Sequence, residues 1–345
     1  MKEGEFMPLP LIPLVVAGVT AASATLAGKK GYDSYKNMKE TKDLAEWLES
    51  KYKRAFKHFE SSRDKTNKTF EEYGLLKLQI LDDTMKDFVS SFKQIKNVNF
   101  KGEVVTDTFV SNKNLELFVL DIEKQVVKAG QVMTAGVASI AGGGLAAMGA
   151  LGATTTFAAA STGTAIASLS GIAAQNATLA FLGGGALSAG GLGIAGGTMV
   201  LGGIALAPAL AIGSLIFASS TEKKLEEMYN KKTEVELEVQ KLESTTAVMM
   251  KIRGTTNEMY KLTSSTKSLL EVKIKQMNNI IQEKGLNFEC YNEDEQNIIY
   301  QNYKLAVVMK EILNTTILND EGSLAPNILS FIKAEKLKLD EIRGN

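Results

Sequence analysis

Residues 191–196 form the pattern most suggestive of chemistry, because Gly-Leu-Gly-Ile-Ala-Gly matches the G-x-G-x-x-G loop of dinucleotide-binding proteins. That loop needs a preceding strand, and an acidic residue about 20 positions later to bind the ribose. No strand is predicted before Gly191, and the first acidic residue after the motif is Glu222. Because 20 glycines occur between residues 129 and 221, a chance match is expected. We therefore predict no nucleotide site and no cofactor.

The single histidine and the single cysteine exclude most catalytic and metal-binding chemistry. One histidine cannot form a His cluster, and one cysteine allows neither an intramolecular disulfide nor a Cys-based zinc site. His58 is expected to be solvated on a charged helix, with pH sensing as the alternative. Cys290 is expected to be an ordinary small apolar residue, and the pair Asp82-Asp83 a solvated helix face. We predict no enzyme, and no catalytic or metal-binding residues.

The charged residues are balanced in number but very unevenly distributed. The chain of 345 residues carries 39 basic and 39 acidic side chains, and this zero net charge argues against a nucleic-acid partner. None of these charges lies in residues 129–221, a run of 93 residues. The arm before this segment has a net charge of +2 and the arm after it −2, which suits pairing of the two arms. The uncharged segment is therefore the main indication of function.

The first charged arm is predicted to be helical, because its apolar residues recur at steps of three and four. We predict long helices over residues 32–98, with a polar break near residues 64–68. A turn is expected at residues 97–102, and a further helix at about residues 113–128 leads into the uncharged segment. The residues expected on the apolar stripe are Leu44, Trp47, Leu48, Ala55, Phe59, Tyr73, Leu76, Ile80, Phe88 and Ile95.

The second charged arm begins with a coiled-coil-like helix over residues 222–283, where apolar residues fall mainly at steps of three, four or seven. A kink is expected near Gly254 and a break at Gly285. Two shorter helices follow at about residues 294–318 and 326–342, the last with Pro326 in its first turn. No segment shows the two-residue alternation of a strand, so no sheet is predicted.

These patterns predict an all-α fold, an elongated helical bundle or coiled coil with a central Gly/Ala-rich hydrophobic helical hairpin. The apolar start of the chain leaves three alternatives open: a cleaved signal peptide, a membrane anchor, or an arm packed against the protein. The predicted regions are an apolar N-terminal arm or anchor (1–31), an amphipathic helical arm (32–128), the uncharged hydrophobic module (129–221), a long coiled-coil-like helix (222–285) and C-terminal short helices (286–345).

The module of residues 129–221 contains 20 glycines and 25 alanines. Three of its stretches are near membrane-spanning length, which is about 20 residues: 131–153, 178–198 and 199–218. Small residues four apart let helices pack closely in a bilayer. The predicted packing residues are Gly185, Ala189, Gly193 and Gly197 in one row, and Gly203, Ala207 and Ala211 in another. Pro208 is expected to kink the last stretch, and the residues expected to face lipid are Leu201, Leu206, Leu210, Leu215, Ile216 and Phe217.

The same composition allows three states of the module. It can be a permanently buried glycine-rich core, a constitutive membrane span, or a segment that amphipathic helices shield in one state and that inserts in another. Glycine and alanine contribute little to partitioning into lipid, so insertion is expected to be marginal. A marginal free energy of insertion suits a conditional segment.

Residues 159–208, with the sequence AASTGTAIASLSGIAAQNATLAFLGGGALSAGGLGIAGGTMVLGGIALAP, resemble a glycine-rich module in a group of mostly uncharacterised bacterial proteins. These proteins often carry generic names such as "chemotaxis protein". Residues 72–100 (EYGLLKLQILDDTMKDFVSSFKQIKNVNF) and the apolar N-terminus ending in Gly-Lys-Lys also resemble that group. The resemblance implies a bacterial source but no catalytic residues. The overall plan is similar to α-helical pore-forming toxins and to apolipoprotein L, which place an apolar hairpin between amphipathic helices.

The sequence therefore predicts a non-enzymatic, membrane-acting protein whose hydrophobic hairpin is shielded by amphipathic helices and inserts into a bilayer as a pore-forming oligomer. One alternative is a membrane-anchored coiled-coil scaffold, and a second is a soluble helical protein with a glycine-rich buried core. The expected partners are a lipid bilayer, further copies of the chain, and a protein bound through the coiled-coil arms. The expected location is the bacterial cytoplasm, conditionally or permanently at the inner membrane.

Overall fold

The structure, a computed structural model, describes residues 28–100, 112–135, 221–319 and 323–344. Within these ranges the chain is helical, without a β-strand, and has two isolated backbone bridges. The all-α helical bundle predicted from the sequence is therefore confirmed. The predicted hairpin and nearly all of the N-terminal arm lie outside the described residues.

The helices differ in length from seven residues to 64. A π-helical turn, Leu81–Met85, separates the first two, and a short 3-10 turn, Phe288–Cys290, precedes the fifth. The described helices are α1 (Gly28–Ile80), α2 (Lys86–Phe92), α3 (Asn112–Ala135), α4 (Thr221–Lys284), α5 (Glu293–Asn314) and α6 (Ile328–Gly344).

Helix α1 is continuous through residues 64–68, so the predicted polar break there is wrong. Asp64 and Lys65 are exposed, whereas Ser62 and Thr66 are buried and continue the inward-facing stripe toward Phe70. Polar side chains on the solvent face do not end a helix. Glycine or proline ends one far more effectively, and neither occurs in this stretch. Helix α4 likewise runs through Gly254 without interruption.

The boundaries of the last two helices shift slightly from those expected. Helix α5 ends at Asn314, because Thr315 takes an extended backbone. Ile317 and Leu318 nevertheless remain buried, so their apolar character reflected the core and not a longer helix. Helix α6 begins at Ile328, with Pro326 in the turn that precedes it.

The described residues pack as two compact units, and the first combines residues 28–63 of α1 with residues 221–249 of α4. The two helices run parallel, since the Tyr229 hydroxyl donates to Glu40 at 2.7 Å and Lys51 Nζ lies 3.5 Å from Glu236. The predicted pairing of the two charged arms is confirmed. The buried residues of this unit are Ala45, Leu48, Ala55, Phe59, Met228, Val235, Val239, Leu242 and Met249.

Trp47 departs from its predicted place on the buried stripe of the first unit, because its side chain is 43% exposed. The ammonium groups of Lys51 and Lys232 lie 4.8 and 5.9 Å from the centre of its ring. The three- and four-residue steps place Trp47 beside the seam, and its neighbour Leu48 occupies the seam itself. Lysine stacking supplies favourable contacts for an indole at such a border.

The second unit contains residues 64–100, 112–135, 250–319 and 323–344 and holds the larger core. The later part of α4 runs parallel to α1 and the π-helical turn, because the hydroxyls of Tyr73 and Thr263 lie 3.1 Å apart and Thr84 donates to Glu271 at 3.3 Å. Helix α3 runs antiparallel to α2. Helix α5 is joined to α4 by the Asn302 amide, which donates to the Lys273 carbonyl at 2.8 Å.

Gly285 ends α4 as the sequence predicts, with a φ of +82° that favours glycine. The chain then turns back, and the Phe288 amide donates to the Lys96 carbonyl at 3.0 Å. Asn292 starts α5 with a reciprocal cap, in which its side chain accepts from the Glu295 amide and Glu295 accepts from the Asn292 amide.

Gly285, which follows α4, and Gly254, inside α4, give a matched pair of substitutions. The change Gly285→Ala is expected to lower the free energy of unfolding by about 1 kcal/mol, because alanine is strained at positive φ. The change Gly254→Ala should raise it by up to about 1 kcal/mol, since that glycine lies inside a helix with nothing within 4 Å of an added Cβ. Urea denaturation followed by circular dichroism measures the free energy of unfolding of both variants. Equal changes in the two variants would contradict the assignment of Gly285 to a positive-φ turn and of Gly254 to a helix interior.

Candidate functional site

The residues predicted to insert into a membrane lie outside the described residues, so their arrangement stays a prediction. They are Gly185, Ala189, Gly193, Gly197, Gly203, Ala207, Ala211, Pro208, Leu201, Leu206, Leu210, Leu215, Ile216 and Phe217. The structure does describe where the chain enters the uncharged module at its start, and this entry is the candidate functional site.

Helix α3 carries the chain from the charged arm into the module without a break, and it extends seven residues beyond Lys128. Ala129, the first residue of the module, is fully buried. A Cβ atom added to Gly130 would lie 3.3 Å from the Asp82 carboxylate, and Met133 packs against the core of the second unit. The first residues of the uncharged module are therefore docked on charged helices.

Several contacts hold α3 in this position. Its buried row packs into the core of the second unit, and Phe118 meets Tyr303 edge to face, with ring centres 5.2 Å apart. Ion pairs join Glu123 to Lys93 and Asp121 to Lys310. Exposed ion pairs contribute little, so burial supplies most of the docking free energy. The buried row is Leu115, Val119, Ile122, Val126 and Ala129.

The π-helical turn Leu81–Met85 forms the other side of the entry. Its side chain at position 82 is only 20% exposed, so the prediction of a solvated Asp82 is wrong, whereas Asp83 is exposed as expected. The backbone of Gly130 approaches Asp82 closely because glycine has no side chain in the way. Single π-helical turns inside helices are frequent at functional sites.

Lys77 is the least expected residue near this entry, because its side chain is fully buried. Its ammonium group has no hydrogen-bond acceptor among the described residues and lies 4.6 Å from the centre of the Tyr73 ring. Burial lowers the pKa of Lys77 to about 7 and raises the pKa of the buried Tyr73 hydroxyl. An unpaired buried amine destabilises the fold.

The sequence places Lys77 on the inward face of its helix, but the periodicity of the apolar residues does not include this lysine. Lys77 follows Tyr73 by four positions, which places it on the same inward face as the predicted stripe. Long lysine side chains usually reach solvent from such positions. Whether this one does depends on the neighbouring helices, which the sequence pattern does not specify.

A metal-binding cluster is not found in the described ranges. No three His, Cys, Asp or Glu side chains there group as a metal site would require. His58 is exposed, as predicted, and Cys290, expected to be an ordinary small apolar residue, is an exposed free cysteine. Among the described helices, none is long and apolar enough to cross a membrane.

Comparison with known proteins identifies no relative. No protein-family model matches the chain, and no curated protein or solved structure is significantly similar to it. The resemblance of residues 159–208 to a bacterial glycine-rich module therefore stays a prediction.

Proposed function

We propose that the chain is a non-enzymatic, membrane-acting protein. Its charged helices shield the uncharged module of residues 129–221, release it at a bilayer, and allow several copies to associate there through rows of small residues. The observation that carries this proposal is the docking of the module's first turn, from Ala129 to Met133, in the second unit.

The way α3 joins the two regions supports this mechanism. The same helix packs into the charged bundle through Ile122 and continues into the module as far as Ala135. Moving the module's start away from the bundle must therefore shift or unwind the end of α3. An apolar segment held by a bundle of near-neutral charge can stay shielded until a competing apolar phase becomes available.

Dye release from liposomes by the purified full chain tests the proposal. We expect leakage from the parent protein, and a loss of at least about tenfold on Gly193→Leu with Gly197→Leu, because leucine prevents close helix approach. Liposome binding should be retained. The matched control is Gly191→Leu with Ala195→Leu, which also introduces two leucines four residues apart but on the opposite side of a helical pattern, and it should leak like the parent.

The same assay separates the alternatives. Binding without leakage would favour a membrane-anchored coiled-coil scaffold. If the chain binds liposomes at no pH and with no lipid composition, both membrane proposals fail, and the soluble protein with a buried glycine-rich core remains.

A further inference from the structure

Helix α6 carries an acidic side chain in the middle of its buried stripe. The side chain of Glu335 is only 3% exposed, and the other members of the stripe, at steps of three and four, are all apolar and buried. They are Ile328, Ile332, Leu339 and Ile342. The Oε2 atom of Glu335 is buried and has no hydrogen-bond partner among the described residues. A negative charge on this carboxyl group is therefore costly.

A second acidic side chain faces this position from α5. Lys338 Nζ lies 2.8 Å from Glu335 Oε1 and 3.0 Å from Glu311 Oε2, so one ammonium group bridges the two carboxyl groups. Glu311 and Lys338 are each nearly half exposed, whereas Glu335 is not. With both carboxyl groups ionised, the three side chains would carry a net negative charge at the edge of the core. Neighbouring carboxylates disfavour each other's ionisation.

We propose that Glu335 carries a proton in the folded protein and donates it to the Glu311 carboxylate, so that the packing of α6 against α5 weakens as pH rises. The proton removes the charge from the buried carboxyl group and leaves the exposed Glu311 ionised as the partner of Lys338. It also gives the buried Oε2 atom of Glu335 a bond to make. This inference goes beyond the proposed membrane function and does not depend on it.

The charged groups around Glu335 are consistent with this assignment. Burial raises the pKa of Glu335 above its ordinary value of 4.5; Lys338 opposes that shift, and the Glu311 carboxylate adds to it. From α4, Glu258 reaches toward α6, but it accepts from Lys336 at 2.8 Å. Residues 315–319, which follow α5, include no charged side chain.

The raised pKa gives the pH dependence a definite sign. The folded chain holds the proton of Glu335 more tightly than the unfolded chain does. The resulting stability is fully present below pH 4.5 and is lost as pH rises through the raised pKa. This direction is opposite to that expected for a buried lysine. An ionised Glu335 must reach solvent, which favours local opening of α6.

A carboxyl titration of the full chain, followed by carbon-13 NMR, tests the protonation directly. The Glu335 signal is assigned by its absence in Glu335→Gln, and its midpoint should lie above 4.5. A midpoint at or below 4.5 would overturn the inference. Glu311→Gln should lower the midpoint, because it removes the facing negative charge. An unchanged midpoint in this variant would overturn the assignment of Glu311 as the acceptor.

Hydrogen exchange in α6 tests the structural consequence. Glutamine keeps a donor and an acceptor at position 335 without a charge, so the α6 amides of Glu335→Gln should exchange at least about fivefold more slowly than those of the parent at pH 8. At pH 5 the two proteins should be alike. Glu341→Gln is the matched control, because Glu341 is exposed on the same helix, and its exchange should stay within about twofold of the parent at both pH values.

The opposite result has a clear meaning. Faster α6 exchange in Glu335→Gln at pH 8 would show that an ionised Glu335 paired with Lys338 holds the helix, and it would overturn the inference. None of these measurements involves lipid, so they succeed or fail independently of the liposome experiments.

Discussion

Replacing Lys77 by methionine is expected to stabilise the protein, by on the order of 4 kcal/mol at pH 7. The amine is fully buried without an acceptor among the described residues, and burial lowers its pKa to about 7. Each pKa unit corresponds to about 1.4 kcal/mol, so lowering the pKa from 10.5 to about 7 corresponds to a penalty on the order of 4 kcal/mol for holding the ammonium group in the folded protein at pH 7. Methionine keeps a long flexible side chain in the same space and needs no hydrogen bond.

The same substitution should remove a characteristic pH dependence. Between pH 7 and the ordinary lysine pKa of 10.5, the unfolded chain holds a proton on Lys77 that the folded chain lacks. The free energy of unfolding therefore rises as pH increases from 7 to 10.5. As pH falls back toward 7, this gain in stability is lost. In Lys77→Met this rise should be absent.

Urea denaturation of parent and variant between pH 7 and pH 9.5, followed by circular dichroism, measures both effects. Lys65→Met is the matched control, because Lys65 is exposed on the same helix, and its effect should stay within about 0.5 kcal/mol. A destabilised Lys77→Met would show that the ammonium group has a partner in the folded protein.

Introducing leucine at Gly130 should have the second large effect, by displacing the start of the uncharged module from the bundle. Even a Cβ atom there would lie 3.3 Å from the Asp82 carboxylate, and a leucine would crowd it further. Overpacking of this kind costs about 1 to 3 kcal/mol. We expect faster hydrogen exchange in the last turns of α3 and, under the proposed function, stronger liposome binding and leakage.

Gly254→Leu is the control for this substitution, because Gly254 also lies inside a helix but has nothing within 4 Å of an added Cβ. It should leave stability unchanged or raise it slightly. Destabilisation by Gly130→Leu without any gain in liposome binding would argue that docking of the module's start does not restrain membrane action.

The helices could be predicted from the sequence because amphipathic periodicity is local. The stripe through Tyr73, Ile80 and Phe88 is buried as expected, and Gly285 ends α4 at its predicted place. The errors arose where polarity was read as a break, at residues 64–68, and where a residue at the edge of the stripe was read as core, at Trp47. The first error was local, because exposed polar residues do not end a helix that contains no glycine or proline at that point. The second depends on which face of α1 the neighbouring helix covers.

The candidate site could be predicted only in part. The sequence places a charged helix directly before the uncharged module, and the structure confirms a helix there, described from Asn112 to Ala135. The sequence pattern does not reveal that Gly130 lies close to Asp82, because the two residues lie 48 positions apart and belong to different helical segments. It also does not show that Lys77 is buried, since a lysine on an inward face can usually reach solvent.

Residue types and their spacing along one chain are enough to predict an all-α protein, and they show directly that its charges are confined to two arms separated by 93 uncharged residues. The parallel pairing of the arms, the docking of the module's start and the apolar row of Leu117, Leu120 and Val127 that α3 keeps outside the core became visible only in the folded protein. These outcomes depend on contacts between distant residues, where burial and close approach are set by all the packed helices together.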